Sequence, residues 1–263
     1  MKIVDKLNKI YSSRYFWFHL AKSDIRSRYR RSKLGLLWMF VQPLLFSAIL
    51  AFVFGTIFNQ PMGEYSLYVV SGIVVWNLAN ASVINGGFCL SQAEQYIRQF
   101  NHPKIIYSLR ASLVSIYTFL IEFIALIIWM VIKKPENLLL GMISLPLTTV
   151  LYFFLSWSLT TIAGYLNVKY RDYPQVMGLL MQALYFVSPV FIKQDLFMSS
   201  EKLRLYTQIN PVTHILNLVR EPFLYGRFAE TISYFYVLGL IVFFFIIATI
   251  IEAKNEKKVI FYL

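Results

Sequence analysis

The chain has 263 residues, of which 58% are hydrophobic and only 14% are charged. A soluble protein carries about 25% charged residues, so this composition excludes a water-soluble globular domain and indicates an integral membrane protein. The formal charge of +12 would suit nucleic acid. However, the basic residues lie at the ends of apolar runs and not on a polar domain, so no nucleic-acid partner is expected. The single cysteine, Cys89, excludes an intramolecular disulfide.

A basic cluster comes directly before the first apolar run. Residues 26–33 are rich in Arg and Lys, and residues 34–58 then contain no charged side chain. A helix needs roughly 20 apolar residues to cross the bilayer core, and Lys and Arg favour its cytoplasmic end. Residues 34–58 are therefore predicted to form the first span, bent at Pro43. Residues 1–33 are predicted to form a cytoplasmic amphipathic helix that lies in the interface plane.

Further apolar runs follow, and the predicted fold is an all-α integral membrane protein with six transmembrane helices. The polar break at 91–101 predicts a cytoplasmic loop helix that ends before Pro103. Residues 194–226 alternate short apolar pieces with charges, which predicts re-entrant helices on the outer side. The predicted domains are a cytoplasmic segment, 1–33, and a transmembrane domain, 34–263. The predicted spans are 34–58, 65–90, 105–132, 138–166, 176–192 and 231–251.

The distribution of basic residues predicts the orientation. With six spans, most of the 25 basic residues fall in segments on the same side as the N-terminus. Lys and Arg accumulate in cytoplasmic loops. Both termini are therefore predicted to be cytoplasmic.

The sequence contains no catalytic or nucleotide-binding motif that we can recognise. The P-loop pattern, HExxH and GxSxG are all missing, and the three histidines, His19, His102 and His214, are far apart. We therefore expect no metal and no cofactor in this chain. A conduit or scaffold is favoured over an enzyme.

Glu122 is the one ionisable residue deep in a predicted span. Such a residue can be a proton relay or a substrate contact, or it can hold two helices together by a hydrogen bond. The structural role is favoured, because a lone carboxylate without a second titratable partner makes a poor proton path. A membrane-embedded enzyme that uses Glu122 and a histidine, such as an acyltransferase, is the remote alternative.

Aromatic side chains are abundant, with 23 Phe, 18 Tyr and 5 Trp. Trp and Tyr near span ends commonly anchor a helix at headgroup level. Aromatic rings also stack on the flat apolar faces of sugars, so a glycan conduit is the other interpretation. The candidate channel residues are Trp38, Tyr65, Tyr68, Trp76, Tyr185, Phe186 and Phe191.

The stretch Ser23–Leu45 resembles the N-terminal signature of the transmembrane subunit of ABC-2-type polysaccharide exporters, the family that exports O-antigen, capsule and teichoic-acid chains. Further matches follow in the family's order, and together they cover essentially the whole chain. One departure is Asn101-His102-Pro103, where the family more often has Phe-Pro. The matching residues are Tyr29-Arg30, Ser32, Leu34-Gly35, Trp38 and Pro43-Leu44, then Asn167–Asp172, Ser188-Pro189-Val190, and Asn210-Pro211 with Arg220.

The resemblance implies a permease subunit that forms a homodimer in the bacterial inner membrane. Two copies of a separate ABC ATPase, which binds ATP and Mg, would drive export of lipid-linked polysaccharide through a channel lined by the first, second and fifth spans. O-antigen is the leading substrate; a capsule or teichoic-acid chain, or a small molecule or lipid, is the alternative. By the same resemblance, the ATPase-docking residues would be Arg26, Arg28, Arg30, Arg31, Gln95, Tyr96, Arg98, Arg171 and Asp172.

Overall fold

A computed structural model describes residues 3–28, 33–100, 102–197, 201–256 and 258–263. Within these residues all regular secondary structure is helical, as predicted. A helix satisfies its own backbone hydrogen bonds, which is what a lipid environment requires. The α-helices of the described residues are α1 (Ile3–Ser12), α2 (Arg14–Arg28), α3 (Trp38–Ile57), α4 (Met62–Val83), α5 (Glu94–Gln99), α6 (Ile105–Lys133), α7 (Leu138–Lys169), α8 (Tyr173–Val187), α9 (Gln194–Phe197), α10 (Glu201–Ile209), α11 (Pro211–Leu224), α12 (Thr231–Asn255) and α13 (Val259–Tyr262).

Five helical stretches in the described part of the chain are long and apolar enough to cross a membrane. They coincide, within a few residues, with five of the predicted spans. The first has a 3₁₀ turn before α3, and the second ends in a 3₁₀ turn after α4. The five stretches are Gly35–Ile57, Met62–Phe88, Ile105–Lys133, Pro135–Lys169 and Thr231–Asn255.

The remaining predicted span, 176–192, has different boundaries in the structure. Helix α8 has only 15 residues, with Pro174 in its first turn and an extended Ser188 after its end. Proline fits the first turn of a helix, and Pro189 pushes the residue before it out of the α region. At 1.5 Å per residue α8 covers about 22 Å, against a bilayer core of about 30 Å. Helix α8 therefore ends five residues before the predicted boundary at 192, and the bounds of this span and the count of six spans stay predictions.

Helix α8 and the residues after it run alongside α4 in the opposite direction. At the start of α8, the hydroxyl of Tyr173 donates to the carbonyl of Val83 at the end of α4, at 3.1 Å. Beyond α8, the carbonyl of Phe191 accepts from the hydroxyl of Tyr65, in the first turns of α4, at 2.8 Å. Helix α8 is too short to match the length of α4, and the residues after it, up to Phe191, cover the remaining distance.

Helix α4 lies at the centre of the molecule. Every residue from Tyr65 to Trp76 is buried, whereas few residues of α3 and α12 are buried. Exposed apolar faces are stable against lipid, which is as apolar as the side chains themselves. The protomer's main core is therefore built around α4, with α6, α7 and α11 packed on it.

The two ends of the chain meet at one end of the molecule. A second cluster of buried side chains, called here the terminal cluster, includes Cys89, Ile97 and Val259. Ile10 of α1 and the final residue, Leu263, both pack against it. The two termini consequently lie on the same side of the protomer, which is what an even number of crossings requires.

At the opposite end, residues 194–226 form the short helices α9, α10 and α11, of 4, 9 and 14 residues. Each is too short to cross a bilayer, as predicted. The side-chain oxygen of Asn210 caps α11 by accepting from the backbone N–H of Val212 at 2.9 Å. Helix α11 is buried against α4, α7 and α12. Its re-entry into the bilayer stays a prediction.

Candidate functional site

Arg220 on α11 is the centre of a buried hydrogen-bond network, called here the arginine clamp. The side chain is 2% exposed. Its guanidinium donates to the carbonyls of Pro189 and Val190, each at 2.6 Å, and to the carbonyl of Tyr68 at 3.2 Å. It also donates to the hydroxyl of Ser71 at 3.3 Å and lies 3.6 Å from the centroid of the Tyr68 ring.

These contacts explain how a cation can remain in the interior. A buried charge is costly unless hydrogen bonds compensate it. Arginine supplies five donors in a fixed planar fork, and here three carbonyls and a hydroxyl accept them. A cation over an aromatic face gains further electrostatic attraction. The clamp therefore joins α11 to α4 and to the irregular segment 188–193.

The same irregular segment is held from α4 by two tyrosines. Tyr65 donates to the carbonyl of Phe191, as described above. The hydroxyl of Tyr68 donates to the carbonyls of Pro189 and Ile192, each at 3.1 Å. Non-helical backbone inside a membrane protein is stable only when other groups satisfy its polar atoms. The tyrosines and Arg220 supply those groups for 189–192.

Gly72 permits this close approach. A Cβ atom at this position would lie 2.0 Å from the carbonyl oxygen of Val190 and 2.6 Å from Nη2 of Arg220. Only glycine leaves room for backbone at that distance. On the other side of the segment, Asn210 donates to the hydroxyl of Ser188 at 2.9 Å.

The structure thus brings together three sequence features that resemblance alone had connected: Ser188-Pro189-Val190, Asn210-Pro211 and Arg220. Sequence analysis gave none of them a role in the site. Gly72 and Ser71 were missed altogether. The sequence signal that could have found the clamp was Arg220 itself, an arginine in the mostly apolar stretch Pro211–Leu224. The one acidic residue of that stretch, Glu221, pairs with Arg227 in the structure.

The predicted channel residues fall into two groups. Tyr65 and Tyr68 are 0% and 2% exposed and are engaged within the protomer, and Trp76 and Phe191 are also buried. Tyr185 links the last two, with ring centroids at 5.3 and 5.4 Å. Only two residues of the set present large exposed rings: Trp38 (42%) and Phe186 (55%). The channel lining stays a prediction, and in this conformation these two rings are the ones open to a substrate.

Those predicted docking residues that the structure describes lie at the end of the molecule that carries the termini. The side chains of Arg26, Gln95, Arg98, Arg171 and Asp172 are exposed, and Arg98 pairs with Glu94 at 2.9 Å. Tyr96 is half-buried and packs on Phe16 with ring centroids 5.8 Å apart. Arg30, Arg31 and the side chain of Arg28 lie outside the described residues. Docking at these positions stays a prediction.

Helix α2 is joined to the transmembrane part by one strong contact. The carboxylate of Asp24 accepts two hydrogen bonds from Arg110 near the start of α6, from Nε and Nη2, at 2.5 Å each. Such two-point pairs fix orientation as well as distance. Arg110 is buried, so this contact anchors a surface helix in the core.

Aromatic contacts complete the attachment of α1 and α2. Phe16 stacks on His102 with centroids 5.0 Å apart, and the hydroxyl of Ser13 lies 3.2 Å from Nδ1 of the same histidine. Trp17 donates from its indole N–H to the carbonyl of Ile10 at 3.1 Å, which holds α1 against α2. Burial lowers the pKa of Lys104, just before α6, and the charge of Glu256 opposes that shift.

Glu122 lies on α6 beside a polar cavity of about 640 Å³ enclosed by α2, α3, α4 and α6. The cavity is lined mainly by amide, hydroxyl and carboxylate groups, and Asp24 also lines it. Asn77 on α4 donates to the Glu122 carboxylate at 2.8 Å. The predicted interhelical hydrogen bond thus exists, with an asparagine as the partner.

The contacts of the histidines are elsewhere. His102 bonds to Ser13, as above, and His214 lies 3.1 Å from the hydroxyl of Ser233 and 2.9 Å from the carbonyl of Gln208. The hydrogen bonds of these two histidines in the described residues go to Ser13, Ser233 and Gln208, and Glu122 binds Asn77. No group of three or more His, Cys, Asp or Glu side chains that could hold a metal ion occurs among the described residues.

The geometry therefore defines a multi-pass helical membrane protein. Helices α1, α2, α5 and α13 pack at the end that carries the termini, and the irregular segment 188–193 is held by the arginine clamp at the other end. The profile of the ABC-2 type transporter family matches residues 15–224. The chain belongs to the ABC-2 type transporter membrane family.

Curated relatives agree with this assignment at modest identity. The chain is 24% identical over 223 residues to the O-antigen export system permease protein RfbA of Klebsiella pneumoniae, covering 84% of this chain and 85% of that protein. It is 20% identical over 262 residues to the protein of the same name from Myxococcus xanthus, covering 95% and 96%. It is 26% identical over 219 residues to the polysialic acid transport protein KpsM of Escherichia coli, covering 81% and 83%.

Proposed function

We propose that this chain is the channel-forming permease subunit of an ATP-driven exporter that carries lipid-linked polysaccharide, with O-antigen as the leading substrate, across the bacterial inner membrane. Two copies form the conduit, and two copies of a separate ABC ATPase bind ATP and Mg²⁺ and drive it. Both termini face the cytoplasm. The proposal is supported by relatives named for O-antigen export that align with 84% and 95% of the chain.

The observation that carries the mechanism is the pair Asp24–Arg110. An external motor can act on this chain only through its cytoplasmic surface, where α2 and α5 present charged side chains. Because Arg110 belongs to α6, any displacement of α2 is transmitted to a membrane-spanning helix through two hydrogen bonds. The helix that orients the chain at the membrane is thus also the part on which the ATPase acts.

A continuous set of contacts leads onward from α6. Glu122 of α6 is bonded to Asn77 of α4, and α4 holds the irregular segment 188–193 through Tyr65 and Tyr68. Packed elements with two discrete arrangements are the physical basis of coupling over such distances. In this scheme, movement of α2 at the ATPase side repositions the clamped segment at the far side, which opens and closes the exit.

The exposed rings of Trp38 and Phe186 are the parts of this protomer proposed to face the conduit. A sugar chain can slide along aromatic faces by stacking, because no single ring holds it tightly. The buried rings of Tyr65, Tyr68, Trp76 and Phe191 support this wall from within. They hold α8 and the segment after it against α4.

The test is complementation of a strain that lacks the gene, with the variants Asp24→Asn and Glu201→Gln, both of which replace a carboxylate by an amide. Glu201 is exposed at the other end of the molecule and serves as the control. Surface glycan and cytoplasmic lipid-linked glycan are measured, together with co-purification of the ATPase. We expect Asp24→Asn to keep the ATPase bound but to lower surface glycan at least about tenfold, since an amide cannot replace the charged two-point pair.

The outcomes separate the two parts of the proposal. A deletion strain with normal surface glycan would contradict polysaccharide export itself and would leave export of a small molecule or lipid as the alternative. Normal export by Asp24→Asn would contradict only the coupling through α2. Loss of protein from the membrane in Asp24→Asn alone would assign the pair to folding, against the proposed coupling role.

Export of a capsular chain is the second candidate. The relative named for polysialic acid transport, at 26% identity, supports it. The same deletion strain distinguishes the two, because O-antigen is lost from lipopolysaccharide whereas a capsular chain is lost from the capsule fraction. The arginine clamp and the Asp24–Arg110 pair would serve the export of either polysaccharide in the same way.

A further inference from the structure

An apolar groove of about 730 Å³ lies between α2 and α6, at the end of the molecule that carries the termini. Its size falls in the range of ligand pockets, roughly 300–1,000 Å³. Two helical stripes form its walls, and the start of the first span closes one side. The lining residues are Phe18, Ala21, Lys22, Ile25 and Arg26 of α2, Gly35 and Leu36 before α3, and Leu113, Ile116, Tyr117 and Leu120 of α6.

Each wall follows the spacing of a single helix face. On α6 the lining positions are separated by three, four and seven residues from Leu113, and on α2 by the same intervals from Phe18. The α6 stripe leads from the terminal end of the helix toward the middle of the membrane. The groove is therefore a slot that is open at the membrane interface and apolar along its length.

Two cations stand at the rim of the slot, and no described lining residue is acidic. Lys22 and Arg26 are one helical turn apart on α2, and both are exposed. Asp24, the acidic residue between them, points to the other side of α2, where Arg110 binds it. The rim thus carries two positive charges above an apolar slot, which is complementary to an anionic headgroup on an acyl chain.

We propose that this groove binds an anionic phospholipid of the adjacent leaflet, with its phosphate between Lys22 and Arg26 and an acyl chain against Leu113, Ile116 and Leu120. Basic pockets between transmembrane helices on the cytoplasmic side bind acidic lipid headgroups, and Lys and Arg stems cover apolar surface while their charges stay at the interface. A folded protein bound at the rim would leave the apolar slot unfilled. A lipid fits both the basic rim and the apolar slot.

This inference gives Arg26 a role other than contact with the ATPase, and it does not depend on what the permease exports. A lipid in the groove would bridge α2 and α6 beside the Asp24–Arg110 pair. The position of α2 would then respond to the acidic lipid content of the membrane.

The test measures lipid binding to the full-length permease in a neutral detergent by native mass spectrometry. Phosphatidylglycerol and phosphatidylcholine with identical chains are titrated separately. We expect phosphatidylglycerol to bind at least about tenfold more tightly, because each basic residue near an anionic headgroup adds attraction. In Lys22→Gln/Arg26→Gln this preference should fall to within about twofold.

Two matched variants serve as controls. Lys9→Gln/Arg14→Gln removes the same charge from α1 and α2 outside the groove and should keep the preference. Lys22→Arg/Arg26→Lys exchanges the two cations and should also keep it, so a loss there would indicate damage to α2 and not to the lipid contact. Equal binding of the two lipids, or equal loss in the Lys9/Arg14 variant, would overturn the proposal.

Competition identifies the source of the phosphate. Inorganic phosphate at the same concentration should not displace phosphatidylglycerol, because it lacks the acyl chain. Displacement by a polyisoprenyl diphosphate at much lower concentration would assign the groove to the lipid-linked substrate and overturn the phospholipid. Loss of the bound lipid when the permease dimerises would assign the groove to a second copy of this chain.

Discussion

Asn77 on α4 and Glu122 on α6 form a direct hydrogen bond of 2.8 Å between two membrane-length helices. The Asn77 side-chain amide is the donor, and the Glu122 carboxylate is the acceptor. The carboxylate also lines the polar cavity between α2, α3, α4 and α6. One bond therefore combines contact between helices with access to a space large enough for water.

Replacement of Glu122 tests whether the acceptor or the charge matters. Glu122→Gln keeps an oxygen that can accept from Asn77, so export and thermal stability should stay within about twofold and a few degrees of the wild type. Glu122→Leu should lower stability by about 1–3 kcal/mol, since it removes a charged acceptor from the half-buried Asn77 amide. Thermal unfolding in detergent and surface glycan are the measurements.

Complete loss of export in a well-folded Glu122→Gln protein would contradict the structural role and assign the charge itself to transport. The double variant Asn77→Leu/Glu122→Leu provides the check on pairing. It should be less destabilised than the sum of the two single variants.

Arg220 should be among the positions least tolerant of change. Arg220→Lys retains the charge but cannot reach three carbonyls and a hydroxyl from one planar group. We expect a loss of about 3–5 kcal/mol, the range for a buried charge whose partners are broken. Arg204→Lys, at an exposed site on α10, is the control and should be silent. A fully stable Arg220→Lys protein would show that the clamp contributes little to the fold.

Gly72→Ala should be strongly destabilising because its Cβ would overlap the carbonyl of Val190. Gly239→Ala on α12 is the matched control, since nothing lies within 4 Å of a Cβ there. In a helix interior alanine is favoured over glycine by roughly 1 kcal/mol, so the control should be neutral or slightly stabilising. Equal melting temperatures for the two variants would mean that 189–190 moves away from α4 at little cost.

Phe186→Ala should lower surface glycan while leaving the assembled complex intact, because the ring is exposed and contributes little to the protomer's core. Tyr68→Phe should behave in the opposite way and reduce stability, since its hydroxyl holds two carbonyls. The comparison of glycan level with the yield of permease–ATPase complex separates the two effects. Normal export by Phe186→Ala/Trp38→Ala would remove aromatic stacking from the mechanism.

Cys89 offers a clean probe of the terminal cluster. Burial raises the pKa of its thiol to about 12, and the thiolate is the reactive form. Between pH 7 and 9 the thiol therefore stays protonated, and a maleimide should label the folded permease slowly and the denatured chain at once. Rapid labelling of the native protein at pH 8 would mean that α5 and α13 separate from the cluster.

The sequence predicted the elements that are long and apolar far better than those that are short and polar. Runs such as 105–132 and 231–251 have no competing explanation, because only a bilayer tolerates them. The end of α8 was placed too late because the apolar character continues through Val190 and Phe191, while Pro189 had already ended the helix. Hydropathy cannot separate a helix from an extended segment that is equally apolar.

The candidate site was predictable only in part, for a physical reason. The predicted docking surface rests on a local feature, since a basic amphipathic stretch is visible within a few turns of sequence. The clamp is not local: Arg220 and Tyr68 are separated by 152 residues, and no periodicity links them. Tyr65 and Tyr68 were predicted to line the channel because they fall near the end of a span, and sequence alone gave no sign that their hydroxyls bind backbone carbonyls.

That separation has a consequence for synthesis. When α4 enters the bilayer, the carbonyls that will accept from the Tyr68 hydroxyl and the segment that will pack beside Gly72 have not yet been made. Those carbonyls belong to Pro189 and Ile192, and the clamp closes only once Arg220 has also been made. The central helix therefore reaches its final contacts late in synthesis.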